Sequence, residues 1–334
     1  MLQYDSSRQE GDMGFRLQSF IVLPIVVTLA VGAATVASFA QDTIKVLVPQ
    51  KGNWETSVPD LGERKGIFGK YGLKVETLYT SGGGETMQAL ISGSADIAIS
   101  TGTAAILSAF AKGAPIRPIA ASMTGADDLF WYVPAASPIH SLKEAAGKTM
   151  AFSAVGSSSN LATIALIRQA GVDIRPVATG TPAATFVAVM SGQVDIGWSG
   201  PPFGIDALQA GKIRIVAVYS DVPAFRNMTV RMHVANLNFL TGRRELATRF
   251  LQADAQTLDW MYAGDDAIAE FASMTGIPQE QARITRDRFY PRGNLALARL
   301  SGLDDAMKDA VAARFLAEPL RQEQLDELFK YYLR

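Results

Sequence analysis

Five short stretches of this chain combine hydroxyl side chains with glycine: "SGGG" at 81–84, "STGT" at 100–103, "SAVGSSSN" at 153–160, "TGTP" at 179–182 and "WSGPP" at 198–202. Glycine lets a ligand approach the backbone, while Ser or Thr at a helix start caps free N–H groups and keeps a hydroxyl to donate. Helix capping explains any one of these loops. Five in one chain point to a shared polar cleft. Gly83, Ser100, Thr101, Ser153, Ser157, Ser158, Thr181 and Ser199 are therefore the expected ligand contacts. Trp54 and Trp131, which follow or end strands, are the expected apolar wall. Trp198 either joins that wall or packs inside.

The chemistry these residues support is binding. "GWSGP" at 197–201 begins like a nucleophile elbow but has Pro201 where G-x-S-x-G ends in glycine. "SGGGETMQ" lacks the Lys-Ser/Thr pair of a phosphate loop. His140 and His233 are far apart and form no catalytic set, and without cysteine they leave nothing for a soft or borderline metal site. No catalytic residue, metal or cofactor is expected. A formal charge of -1 supplies no broad basic field, which argues against nucleic acid as a partner.

These loops need strands to end on and helices to begin, and the sequence alternates the two. "TIKVLVP", "LKVETLYT", "ADIAIS" and "IRPIAAS" read as strands separated by helices over "VPDLGERKGIFGKYG", "GGGETMQALISG" and "TGTAAILSAFAKG". After "SPIHSLKEAAG" the same order restarts with "KTMAFSA", "DIRPVATG", "VDIGWS" and "IRIVAVYS" as strands. Such alternation argues for an α/β protein with mostly parallel sheets. Ligands of such sheets bind beyond the carboxyl ends of the strands, where the five loops fall. Past Asp221 come a strand-like "TVRMHVA" and amphipathic helices at about 243–262, 265–274, 279–288 and from Asp304 to the end.

One stretch is said twice. "MQALISGSADIAIS" from Met87 returns as "FVAVMSGQVDIGWS" from Phe186, sharing Ser92/Ser191, Gly93/Gly192, Asp96/Asp195, Ile97/Ile196 and Ser100/Ser199. The repeat reads as a helix, turn and strand at matching places in two units. Its glycines stop helices and its aspartates form turns, so the chemistry lies with Ser100 and Ser199, expected to face each other across the cleft.

At the N-terminus, Arg16 precedes an apolar run from Phe20 to Ala37 that ends in "ASFAQD". That is the layout of a secretory signal peptide, 1–40, cleaved after Ala40, with an uncleaved membrane anchor as the alternative. Either way the folded part is expected outside the cytoplasm, in the periplasm.

"SPIHSLKEAAGKTMAFSAVGSSSNLA" from Ser137, "ALISGSADIAIS" from Ala89 and "GIFGKYGLKVE" from Gly66 together resemble the solute-binding proteins of ABC transporters of the nitrate/sulfonate/taurine group. The resemblance runs through essentially the whole mature chain. It implies a type II periplasmic-binding-protein fold: two α/β lobes, each a mostly parallel sheet flanked by helices, joined by a two-strand hinge. The first lobe would comprise 41–134 plus 220–334 and the second 135–219, with crossings near Tyr132–Pro134 and Val218–Ser220. The implied function is capture of a small organic acid, sulfonate or related anion by a monomer that serves an ABC permease and its cytoplasmic ATPase. An enzyme on the same scaffold, acting on a small heterocycle or acid, and a ligand sensor of the same fold are the alternatives. Family members for strongly anionic ligands often place Arg or Lys in the cleft, and none of the five loops carries one. The cysteine-rich motif of the thiamine-precursor branch is also absent.

Overall fold

The structure is a computed structural model describing residues 41–125 and 127–333. The expected signal peptide lies outside the described residues. Among the described residues, no helix is long and apolar enough to cross a membrane.

The first run of alternating elements builds one sheet. β1 (Asp42–Val48), β2 (Leu73–Tyr79) and β3 (Ile97–Gly102) lie parallel, joined through helices α1 (Val58–Arg64), α2 (Ile67–Lys70) and α3 (Gly83–Ile91). Helix α4 (Thr103–Ala111) leads on to β4 (Ile116–Thr124). The second run supplies β5 (Phe130–Pro134), β6 (Lys148–Phe152), helix α5 (Ser158–Ala170), β7 (Ile174–Ala178), helix α6 (Pro182–Met190), β8 (Gly197–Ser199), helix α7 (Ile205–Gln209) and β9 (Ile213–Val218). The chain then returns as β10 (Thr229–Asn236), inserted antiparallel between β3 and β4, so the first sheet reads β2-β1-β3-β10-β4. β3, β4 and β10 are buried along their whole length, as strands covered on both faces must be.

The second lobe repeats this plan. β6 and β7 are parallel, β5 lies antiparallel between β8 and β9, and a parallel bridge from Met150 to Ile196 joins β6 to the start of β8. The strand order is therefore β7-β6-β8-β5-β9, with β5 in the place that β10 takes in the first sheet. This corrects the expected boundary at 134: Phe130–Pro134 is hydrogen-bonded into the second sheet, so the first crossing lies between Thr124 and Phe130. The return crossing lies between Val218 and Thr229.

The sequence repeat occupies matching positions, α3 to β3 and α6 to β8. Gly93 and Gly192 turn the chain at φ 76 and 75, the left-handed conformation glycine adopts without strain. Asp96 Oδ2 accepts the Lys45 N–H of β1 at 2.9 Å, and Asp195 Oδ2 accepts the Thr149 N–H of β6 at 2.9 Å. Each aspartate thus ties the start of one strand to its parallel neighbour.

The last third packs as helices α8 (Leu237–Ala263), α9 (Asp266–Thr275), α10 (Gln279–Ile284), α11 (Leu303–Ala312) and α12 (Gln322–Leu328). The single helix expected from Asp304 to the end is two, because Arg314 turns with φ 62 and Pro319 follows without an N–H to extend a helix. The helix expected over 58–72 likewise splits into α1 and α2 at Gly66.

Candidate functional site

Loops from both sheets close around a cavity of about 60 Å³. All five hydroxyl-glycine stretches reach its wall, through Ser81, Gly82 and Gly83, Ser100 and Gly102, Ser153 and Gly156 to Ser159, Gly180 and Thr181, and Trp198. Gln50, Asn53 and Thr56, from the segment after β1, complete it with Leu129 and Arg231. Helices α3, α4, α5 and α6 all begin at this wall. α5 and α6 are capped: Ser157 Oγ accepts the Asn160 N–H at 3.1 Å and Thr181 Oγ1 accepts that of Ala184 at 3.2 Å. α3 and α4 follow Gly82 and Gly102 and have no capping side chain, so their first N–H groups are left for another acceptor.

The hydroxyls are organised by one another. Ser153 Oγ lies 2.8 Å from both Ser157 Oγ and Ser159 Oγ, which are 3.0 Å apart. Across the cavity Ser100 stands in a left-handed conformation, φ 50, unusual for a residue with a Cβ. Its hydroxyl donates to Glu55 Oε1 at 2.8 Å and lies 2.9 Å from Ser122 Oγ.

The electrostatic centre comes from β10. Arg231, 6% exposed, donates through Nη1 to Glu55 Oε2 at 2.6 Å and through Nη2 to Asp128 Oδ2. Burial opposes the guanidinium charge, but Asp128 and Glu55 outweigh it and hold the Arg231 pKa above its ordinary value. Asp128 is pushed up by its burial, which Arg231 only partly opposes. Among the described residues Arg231 is the only ionisable side chain on the cavity wall. Among the described residues three buried polar atoms here have no partner: Arg231 Nε, Asp128 Oδ1 and Trp198 Nε1.

Of the expected contacts, Gly83, Ser100, Ser153, Ser157, Ser158 and Thr181 are brought together on the wall, and four residues are not. Trp54 is fully buried, with Nε1 donating to Tyr262 Oη at 3.0 Å and its ring 5.0 Å edge-on to Phe271. Trp131 is fully buried with Nε1 donating to Ala151 O at 2.9 Å. Both indoles have spent their one donor inside a lobe. Thr101 and Ser199 adjoin wall residues on strands, where successive side chains point to opposite faces. Ser199 Oγ donates to Phe203 O at 2.8 Å, so it does not face Ser100. Trp198 supplies the aromatic wall instead. Sequence reasoning missed Arg231, Glu55 and Asp128. The available signal was an arginine inside the apolar strand "TVRMHVA", a charge that burial would force to find partners.

The two lobes touch at the cavity rim. A Cβ placed on Gly102 would stand 2.9 Å from Gly156 O and 3.1 Å from Ser158 N, so only glycine lets these backbones meet. Further out, Tyr290 Oη donates to Pro201 O at 3.2 Å, Gln281 Nε2 donates to Pro202 O at 3.2 Å, and Arg168 pairs with Asp309 at 3.1 Å. Donors gathered from both lobes around one small cavity suit a ligand rich in acceptor oxygens.

The NMT1/THI5-like family profile matches residues 61–268, and the chain belongs to that family. No curated protein matches it. Among solved structures it is similar to the alkanesulfonate-binding protein SsuA from Xanthomonas axonopodis pv. citri bound to MOPS, with 20% identity over 89% of this chain and 96% of that one, TM-score 0.68. It is also similar to the periplasmic nitrate-binding protein NrtA from Synechocystis PCC 6803, with 12% identity over 88% and 86%, TM-score 0.66. A third similar structure is the desulfurization enzyme DSZB, with 15% identity over 85% and 96%, TM-score 0.61. These likenesses establish the two-lobed periplasmic-binding-protein fold.

Proposed function

We propose that this chain, as a member of that family with that fold, is an extracytoplasmic solute-binding protein. It captures a small organic acid, sulfonate or related anion between its lobes and delivers it, as a monomer, to an ABC-type permease and its cytoplasmic ATPase. The observation that carries this reading is the convergence of five hydroxyl-glycine loops and four helix starts, from both lobes, on one cavity. Hydroxyls and free N–H groups at helix starts bind oxygen anions without further charge.

In this reading β5 to β9 with their helices form one lobe and the remaining elements the other. They hinge about the segments 127–129 and 219–228. At about 60 Å³ the cavity is far smaller than the several hundred Å³ usual for organic ligands, so entry requires the lobes to part. Ligand bridging Ser100 and Gly83 on one side with Ser153, Ser157, Ser158 and Thr181 on the other then stabilises closure, because only the closed state offers all these contacts.

The likeness to DSZB makes an enzyme on the same scaffold the specific second reading. A thermal-shift screen of the exported protein against sulfonates, carboxylates, nitrate and aromatic acids tests the first, since a ligand that binds only the native state raises its melting temperature. A class that shifts the melting temperature and is recovered unchanged supports binding. Chemical turnover, with no class bound and returned intact, replaces the proposal with the enzyme. A sensor of the same fold would bind equally well, and is separated by loss of ligand uptake in cells lacking the protein.

A further inference from the structure

We infer that a second binding site lies between the lobes, outside the cleft, and that it takes an organic ammonium ion with a bulky apolar body. The inference goes beyond solute binding and does not depend on what the cleft accepts.

Beside the rim contacts of Pro202, the lobes leave a groove of about 830 Å³ between them. Pockets for drug-sized organic molecules span about 300–1,000 Å³ and favour domain junctions. The banks of this groove come from both lobes: Lys51, Asp60, Met274 and Ile277 from the first, Phe203 and Asp206 from the second. It shares no lining residue with the small cavity. The segment after β1 partitions the two, with Gln50 and Asn53 on the cavity wall and Lys51 and Gly52 on the groove. A Cβ on Gly52 would lie 3.3 Å from the Phe203 ring, and one on Gly200 would lie 3.2 Å from Asn53 Nδ2. Direct contact between the lobes therefore closes the partition.

The lining fixes the chemistry of the occupant. Phe203, Met274 and Ile277 are half-buried on the groove and offer apolar surface that an apolar body would cover. Among the described residues its ionisable side chains are Lys51, Asp60 and Asp206. On the first-lobe bank Lys51 and Asp60 offset each other, and Tyr79 engages both: Lys51 Nζ lies 5.0 Å from the centre of its ring, and Asp60 Oδ2 accepts its hydroxyl. On the second-lobe bank Asp206 stands alone, exposed on α7 and in no ion pair among the described residues. The charge left uncompensated is thus one carboxylate on a groove with apolar walls. An ammonium group answers it with charge-assisted hydrogen bonds, whereas an acid would meet like charge. Because the banks belong to different lobes, an occupant that touches both holds the lobes together from outside the cleft.

Tryptamine and tryptophol test the site, since they share an indole body and differ in carrying an ammonium or a hydroxyl. Calorimetric titration of the protein should find tryptamine bound about 10-fold or more tighter than tryptophol. Asp206→Asn should weaken tryptamine about 10-fold and leave tryptophol unchanged. The melting temperature of the free protein should change little, because Asp206 is exposed and unpaired. Ile277→Ala, on the opposite bank, should weaken both compounds about 5-fold. The inference is overturned by tryptamine that does not bind, by tryptophol bound as tightly, or by tryptamine whose affinity ignores Asp206→Asn and which therefore sits elsewhere. Weakening by Asp206→Asn with none from Ile277→Ala puts the amine on the second lobe alone, and overturns a site between the lobes. The comparison of the two compounds uses the unaltered protein, so it decides the charge preference even where a variant folds poorly.

Discussion

Gly102→Ala should hold the lobes apart without unfolding either. Gly102 sits at φ -59, ψ 130, a conformation alanine adopts freely, so the backbone of β3 pays nothing for the change. Loss of glycine's freedom in the unfolded chain even favours the variant, by about 0.4–1 kcal/mol. The added methyl is the obstacle, 2.9 Å from Gly156 O, 3.1 Å from Ser158 N and 3.3 Å from Ser157 C. All three are backbone atoms of the opposite lobe, with no side chain to swing aside, so the inexpensive relief is rotation at the hinge. Overpacking of this kind costs about 1–3 kcal/mol, which here falls on closure and weakens ligand binding by about 5- to 150-fold. Calorimetry reads the affinity, and small-angle scattering with saturating ligand reads the closure. The variant should keep a larger radius of gyration than the unaltered protein and a melting temperature, without ligand, that is equal or slightly higher. A ligand-bound variant as compact as the parent, with affinity within twofold, would refute this account of how the rim fits together.

Trp54→Phe should leave ligand affinity within twofold while lowering stability by about 2–3 kcal/mol in denaturant titrations, because it removes the buried hydrogen bond to Tyr262 and leaves a cavity where the larger indole packed. Arg231→Met should cost about 3–5 kcal/mol by the same measurement, since Glu55 and Asp128 lose the cation they share. That deficit should shrink as pH falls and Asp128, whose burial already pushes its pKa up, takes up a proton. Asp195→Ala should lose about 1–2 kcal/mol with its Thr149 bonds. Burial of Asp195 raises its pKa, but those bonds and Lys148 outweigh it and leave the folded value lowered. Its contribution is therefore complete above the ordinary carboxylate pKa of 3.8 and lost as pH falls through the lowered folded value, so parent and Asp195→Ala stabilities should converge in acid.

Much of the scaffold was legible along the chain because it is written in local terms. The spacing of apolar residues marks α3, β3, α6 and β8, and Gly93 and Gly192 announce the turns between them. The doubled "SG..D" text is legible as structure because each aspartate caps the strand beside it. The loops were found for the same reason: a strand end, a hydroxyl and a glycine are neighbours in sequence before they are neighbours in space. Of ten residues expected at the site, six line the cavity, five of them at such loop or helix starts and Ser100 near the end of β3. Thr101, Ser199 and Trp131 do not line it, since which face a strand residue shows depends on the sheet around it, and Trp54, in the turn before Glu55, packs inside its lobe against Tyr262 and Phe271.

Arg231 could not be placed from sequence, because its meaning depends on β10 returning to the first sheet and meeting Glu55 and Asp128, 176 and 103 positions away. The boundary at 134 failed similarly: β5 follows β4 directly but pairs with β8 and β9. Helices, turns and capping loops arise from contacts a few residues long and are carried by composition and periodicity. Strand pairing, the buried charge triad and the meeting of Gly102 with Gly156 arise between distant segments, and only the packed chain decides them.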